Sequence, residues 1–210
     1  TDTAPYGCVE EMKAFIRLTD GMKLFLDIGA LFGVFSFVFT RRPDATAVAI
    51  EPSPWAFPVL LRHCKANIAH RIIPQHAFVG DVSGQGILCK RNYNQIVANL
   101  VTEYRTKSYM FIQQRLDDLL PRLSRKVDCL KIDVEGYEVQ VLRGAARLIQ
   151  TCKPIMFLEC HIASLAQNGE TAESLYRLLG EFGYRLQLSD GTAVMTLGDC
   201  AMTRVICYPG

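Results

Sequence analysis

The sequence predicts an α/β protein, a mostly parallel sheet covered by helices and joined by right-handed crossovers. Three observations carry this. Short β-like runs alternate with helix-like stretches along most of the chain. No internal repeat or low-complexity linker breaks the alternation. The chain has 210 residues, 50% hydrophobic and 21% charged, enough for one core and too apolar for a disordered segment.

In chain order, Val9 to Leu18 reads as an N-terminal helix and Lys23 to Ile28 as a strand ending at Gly29. Phe32 to Arg41 reads as a buried helix stopped before Pro43, and Ala45 to Ile50 as a second strand ending at Glu51-Pro52. A helix over Pro54 to Ala66 follows, with Pro54 near its first turn, although Pro58 blurs its start. Arg71 to Val79 reads as a third strand closed by Gly80-Asp81. Residues 84–116 break the rhythm: Gln85 to Arg91 and Met110 to Arg115 resemble strands around a polar segment, Asn92 to Lys107. An insertion there is expected to shape a site entrance, with Tyr93, Tyr104, Tyr109 and Phe111 as possible lining or ordinary packing. The rhythm returns with a strand over Val127 to Val134, a helix over Val139 to Gln150 and a strand over Pro154 to Cys160. Thr171 to Phe182 carries Leu175, Leu178, Leu179 and Phe182 at helical spacing. Tyr184 to Leu188 and Met202 to Tyr208 close the chain as strands around the Asp190-Gly191 turn. The expectation is a single domain over 1–210, with 1–20 as its helical start.

The formal charge of +2 gives no reason to expect a nucleic-acid or anionic-membrane surface. The longest apolar run, Ala30 to Phe39, is too short to span a bilayer, and no signal-peptide pattern is visible. A first residue other than Met, Thr1, fits a domain cut from a longer chain. Cys8, Cys64, Cys89, Cys129, Cys152, Cys160, Cys200 and Cys207 are scattered, with no C-x-x-C pair and no zinc-like spacing. Free buried thiols in a cytoplasmic protein are the expectation.

In sheets of this class the ligand sits beyond the carboxyl ends of the strands, and here nearly every strand ends in an acid. Gly29 and Gly33 allow a tight first turn, but the middle glycine of G-x-G-x-x-G is missing and Asp27 stands just before the turn. A carboxylate there repels a phosphate and attracts a cation. Glu51, 24 residues on, is placed to accept from ribose hydroxyls, and Asp81 could accept from an adenine amino group. A ribose, an adenine and a cationic centre without phosphate describe S-adenosylmethionine better than NAD or ATP.

Strand periodicity puts Lys131, Asp133 and Glu135 on one face, an expensive arrangement in a parallel strand unless the charges are paired or functional. A Lys131–Asp133 ion pair is the bland alternative. Glu159 and His161 share a face at the end of the next strand, making His161 a candidate base or metal ligand.

F-L-D-I-G-A-x-x-G at 25–33, Glu51-Pro52, L-K-I-D-V-E-G-Y-E-V-Q-V-L-R-G-A at 130–145 and F-L-E-C-H at 157–161 together resemble the FkbM-type S-adenosylmethionine-dependent methyltransferases. The resemblance implies a Rossmann-like three-layer fold, a seven-stranded sheet with an antiparallel C-terminal hairpin, and O-methylation of a sugar or natural-product hydroxyl. One departure is Leu31, where the family loop commonly has Asn. On this reading Asp27, Gly29, Ala30, Gly33, Glu51, Asp81 and Glu135 bind the cofactor. Asp133, Glu159 and His161 surround the acceptor hydroxyl, with His161 as general base; Asp133 and Glu159 could instead hold Mg²⁺. The alternatives are a methyltransferase fold turned binding module and a nicotinamide-dependent oxidoreductase.

Overall fold

Leu24–Ile28 (β1) is buried at every position because helices cover both faces of the sheet around it. It lies between Thr46–Ile50 (β2) and Cys129–Ile132 (β7), parallel to both. Ile72–Gln75 (β3) extends this parallel region on one side and Ile155–Cys160 (β8) on the other. Thr203–Pro209 (β11) runs antiparallel to β8 and to Tyr184–Gln187 (β9), which gives the C-terminal antiparallel hairpin. The sheet order is β10-β9-β11-β8-β7-β1-β2-β3, the seven expected strands plus a two-residue eighth, Ala193–Val194 (β10), across the Asp190-Gly191 turn. This computed structural model describes residues 6–66, 71–84, 86–91, 107–118, 123, 125–198 and 202–210; the side chains of 6–8, 86–91 and 107–109 are outside it. Tyr93, Tyr104 and most of the polar segment around them lie outside the described residues.

Alternation along the strands divides the core in two. Leu26, Ile28, Leu130, Ile132 and Leu158 face one cluster, packed with Glu138–Gly144 (α4), Ala146–Cys152 (α5) and Ala172–Glu181 (α7). Phe25, Ala47, Ala49, Cys129 and Phe157 face the other, packed with Tyr6–Leu18 (α1), Val34–Phe39 (α2) and Ala56–Ala66 (α3). Cys64, Cys129, Cys152, Cys160 and Cys207 are buried thiols that form no disulfide, as expected.

Three expectations need correcting. The third strand is two: β3 ends at Gln75, and Phe78–Val79 (β4) leaves for a smaller sheet. Pro74 lacks the N–H an interior strand needs, so β3 sits at the sheet edge. The His76 ring then stacks on Phe57 (4.7 Å between centroids) and its Nε2–H donates to the Pro52 carbonyl (3.0 Å), turning the chain. In the smaller sheet, Lys107–Gln114 (β6) pairs antiparallel with Gly86–Arg91 (β5) and parallel with β4. Secondly, the helix expected over Val139 to Gln150 breaks at Ala145. The buried carboxylate of Asp117 caps the second piece, accepting from the N–H groups of Arg147 (3.1 Å) and Leu148 (2.8 Å). Thirdly, α3 starts at Ala56, where Ser53 Oγ accepts its N–H (3.2 Å). Pro58 therefore falls in the first turn, where a missing donor costs little.

Candidate active site

The loop after β1 is shaped by three consecutive demands on the backbone. Gly29 (φ 80°), Leu31 (φ 50°) and Gly33 (φ 85°) all adopt the left-handed region. At Gly29 a Cβ would stand 1.8 Å from the Asp133 carbonyl oxygen, so only glycine lets the ends of β1 and β7 meet. Leu31 occupies a conformation that Asn tolerates and Leu does not favour, which gives a physical meaning to the departure seen in the sequence. Most of the loop's donors are turned inward. Gly29 and Ala30 N–H both donate to the Ile50 carbonyl (2.9 and 3.0 Å), and Gly33 N–H to the Ala30 carbonyl (2.7 Å). Leu31 N–H donates to Glu51 Oε2 (2.8 Å).

Glu51 therefore closes the loop: its other oxygen accepts from Ser53 N–H (2.7 Å), and it is buried. Burial pushes its carboxyl up to about 7 against the pull of those two amides. Asp27 is buried on β1 and accepts from Ser36 Oγ (2.7 Å) on α2. Burial raises it to about 6, even with the Lys131 ammonium nearby. Asp27 and Asp133 both act electrostatically on Glu51, so the three acids crown one end of the sheet.

The second group gathers around His161, the residue before Ile162–Leu165 (α6). Its Nδ1–H donates to Glu138 Oε1 (2.9 Å), which leaves Nε2 aimed at three carboxylates. These are Glu135 Oε2 at 3.6 Å, Glu159 Oε1 at 3.7 Å and Asp133 Oδ1 at 4.0 Å. Desolvation lowers the imidazole's proton affinity, but the surrounding acids outweigh it and raise the pKa above its ordinary value. Periodicity puts Glu135 on one strand face with Lys131 and Asp133, and the structure corrects this. The strand stops at Ile132, and Glu135 takes φ 57° beside Gly136 (φ 102°). The strained turn still brings its carboxylate to His161.

Asp27, Gly29, Ala30, Gly33 and Glu51 thus form one group, and Asp133, Glu135, Glu159 and His161 a second, joined where Gly29 abuts Asp133. Asp81 does not end a strand of the main sheet. It lies in the smaller sheet's turn and accepts from Gln113 Nε2 (3.0 Å). Sequence reasoning missed Glu138, which is fully buried and also accepts from Gly136 N–H (2.9 Å), and it missed Arg204. An acid just after a glycine at a helix start was the available signal for Glu138. None existed for Arg204, whose partner Glu159 depends on strand register.

Asp133, Glu159 and His161 offer ligand atoms within 4.8 Å of one another. The set does not suit Mg²⁺, which prefers oxygen ligands in an octahedron. One ligand is imidazole, both Glu159 oxygens receive Arg204, and Asp133 Oδ2 receives Lys131 (3.1 Å).

A family profile described as the methyltransferase FkbM domain matches residues 27–186. The chain belongs to the FkbM methyltransferase family. It is 30% identical over 146 residues to "Methyltransferase 1" of Beauveria bassiana (strain ARSEF 2860), covering 57% of each chain. Among solved structures it resembles methyltransferase FkbM from Methylobacillus flagellatus KT (TM-score 0.55, 17% identity), covering 89% of this chain and 43% of that one. A putative caffeoyl-CoA O-methyltransferase from Staphylococcus aureus (TM-score 0.53, 9% identity) matches over 97% of this chain and 83% of its own. A putative tRNA (m1A22) methyltransferase from Streptococcus pneumoniae (TM-score 0.53, 11% identity) matches over 95% and 69%. At these identities the structures share the fold. The chain spans little more than half of the curated relative and less than half of the FkbM structure. Among the described residues no helix is long and apolar enough to cross a membrane.

Proposed function

We propose that this FkbM domain transfers a methyl group from S-adenosylmethionine to a hydroxyl of a sugar or natural-product small molecule. The observation that carries the reading is the inward-turned loop. The N–H groups of Gly29, Ala30, Leu31 and Gly33 are bonded within the protein, which leaves few loop amides to cradle a diphosphate. The side chains beside it are acidic, which favours a cation over a phosphate. The donor set thus fits a sulfonium nucleoside and argues against a nicotinamide dinucleotide.

Asp27, Gly29, Ala30, Gly33 and Glu51 would hold the cofactor, with Glu51 using its remaining lone pairs toward ribose hydroxyls. S-adenosylmethionine, when bound, supplies an electrophilic methyl on a positively charged sulfur. The chain's own task is to align and activate the acceptor. An alcohol is a poor nucleophile until its proton leaves, and His161 Nε2 is the group able to take it. With the cofactor bound, His161 Nε2 would take the proton of the acceptor O–H, and the oxygen's freed electron pair would go to the methyl group that the sulfonium releases. Glu138 holds Nδ1–H and stabilises the imidazolium that forms. Asp133, Glu135 and Glu159 stand close enough to Nε2 to favour that charge.

The raised pKa of His161 sets the pH dependence. The base is competent only when neutral, so kcat/KM should rise with pH through a value above the ordinary imidazole range. His161→Ala should lower turnover on a hydroxyl acceptor by roughly 10²–10⁴-fold and leave cofactor affinity unchanged. Radiolabelled methyl transfer with parallel calorimetry checks both, and wild-type turnover in the variant would remove His161 as base.

A further inference from the structure

Two cations lie behind the acids of the His161 group. Lys131 is 3% exposed on a central parallel strand, beneath the Phe35 ring (Nζ to centroid 4.7 Å) and opposite Asp27 in register. Its ammonium donates to Asp133 Oδ2 at 3.1 Å. Arg204 stands opposite Glu159 across the β8–β11 pair and holds it bidentately, Nε to Oε2 at 3.0 Å and Nη2 to Oε1 at 2.8 Å. On its other side Nε is 3.3 Å from Oε2 of Glu11, a buried acid on α1.

The same two carboxylates stop short of the imidazole. Asp133 Oδ1 is 4.0 Å and Glu159 Oε1 3.7 Å from His161 Nε2, beyond hydrogen-bond length. A carboxylate beside an imidazolium N–H ordinarily closes that gap, because the charge-assisted bond is among the stronger ones available. Here each is drawn the other way by its cation. A buried ammonium and a part-buried guanidinium are costly to desolvate, so their placement against these two acids calls for a reason beyond stability.

We propose that Lys131 and Arg204 are positioning residues that hold Asp133 and Glu159 away from His161, so that Nε2 stays open to the acceptor hydroxyl. The inference rests on His161 being the base of the proposed reaction. Freed from its cation, either carboxylate would take the Nε2 proton into a hydrogen bond and clamp the ring between itself and Glu138. Among the described residues, the acids paired with the ring are Asp133 from the end of β7, Glu135 from the turn, Glu138 from α4 and Glu159 from β8. Lys131, and Arg204 with Glu11 beyond it, stand behind them.

The test compares Lys131→Met and Arg204→Gln with the wild-type chain. Imidazole NMR reads the His161 titration without ligands, and steady-state kinetics give the pH profile. Both variants should raise the His161 midpoint by about 1 pH unit. The acidic limb of kcat/KM should move with it, so activity at pH 7 falls up to about tenfold and returns at higher pH, with cofactor KM unchanged in Arg204→Gln. Arg204→Lys, which restores the charge with fewer donors, should recover part of the shift. Unshifted titrations in the folded variants would overturn the proposal. If Lys131→Met does not fold, Arg204→Gln decides alone, since the Arg204 side chain is 27% exposed at the sheet's rim. A shifted titration in a protein that methylates no hydroxyl would overturn the proposed reaction and leave the positioning role standing. A normal titration in an active variant would do the reverse.

Discussion

The acids at the two ends of this site are held in opposite ways. Glu51 and Asp27, beside the first loop, are partnered mainly by neutral donors: two backbone amides for one and a serine hydroxyl for the other. Asp133 and Glu159, at the ends of β7 and β8, are bound directly by an ammonium and a guanidinium. Neutral partners leave a buried carboxyl easy to protonate, and burial lifts Glu51 to about 7 and Asp27 to about 6. The first pair is thus short of positive charge and suited to receive it from a ligand. The second pair already has its cations and is suited to surrounding a base.

The sharpest way to break this contrast is at Glu138, whose fully buried carboxylate holds both His161 and the Gly136 amide. Glu138→Gln keeps the shape and removes the charge. Turnover should fall roughly 10–100-fold with little change in cofactor affinity, because the ring loses its orienting acceptor. Equal losses in turnover and affinity would show that the two ends do not work separately. A middle-sized effect concerns stability. Glu51 keeps its proton in the native state at pH values where the unfolded chain has lost it. Its contribution is therefore full below about 4.5 and is lost as pH rises through about 7, on the order of 3 kcal/mol. Urea unfolding between pH 5 and 8 should show stability declining in the wild type, and declining less in Glu51→Gln. The smallest effect is at Leu31, where Leu31→Asn should stabilise the fold by about 1 kcal/mol through relief of the left-handed backbone. A thermal melt checks it, and a lower midpoint would mean the Leu31 side chain supports the loop by packing.

The same contrast explains what could be read from the chain. Short apolar runs with Asp27, Glu51, Asp133 and Glu159 at or near their ends announced the sheet and its acidic rim, because strand length and polarity are local properties. Which cation answers each acid was not local. Arg204 meets Glu159 only because an antiparallel strand enters between β8 and β9 in one register. The splitting of the third strand and of the α4–α5 helix had the same origin. His76 and Asp117 act on partners far along the chain, the Pro52 carbonyl and the Arg147 and Leu148 amides.

Calorimetric titration of S-adenosylmethionine into the wild type and Glu51→Gln at pH 6 and pH 8 tests the central idea most directly. A cation that needs Glu51 ionised should bind the wild type about tenfold more tightly at pH 8, while the variant binds weakly and without that dependence. Equal affinities in the two proteins, or tighter binding of NADH than of S-adenosylmethionine, would contradict it.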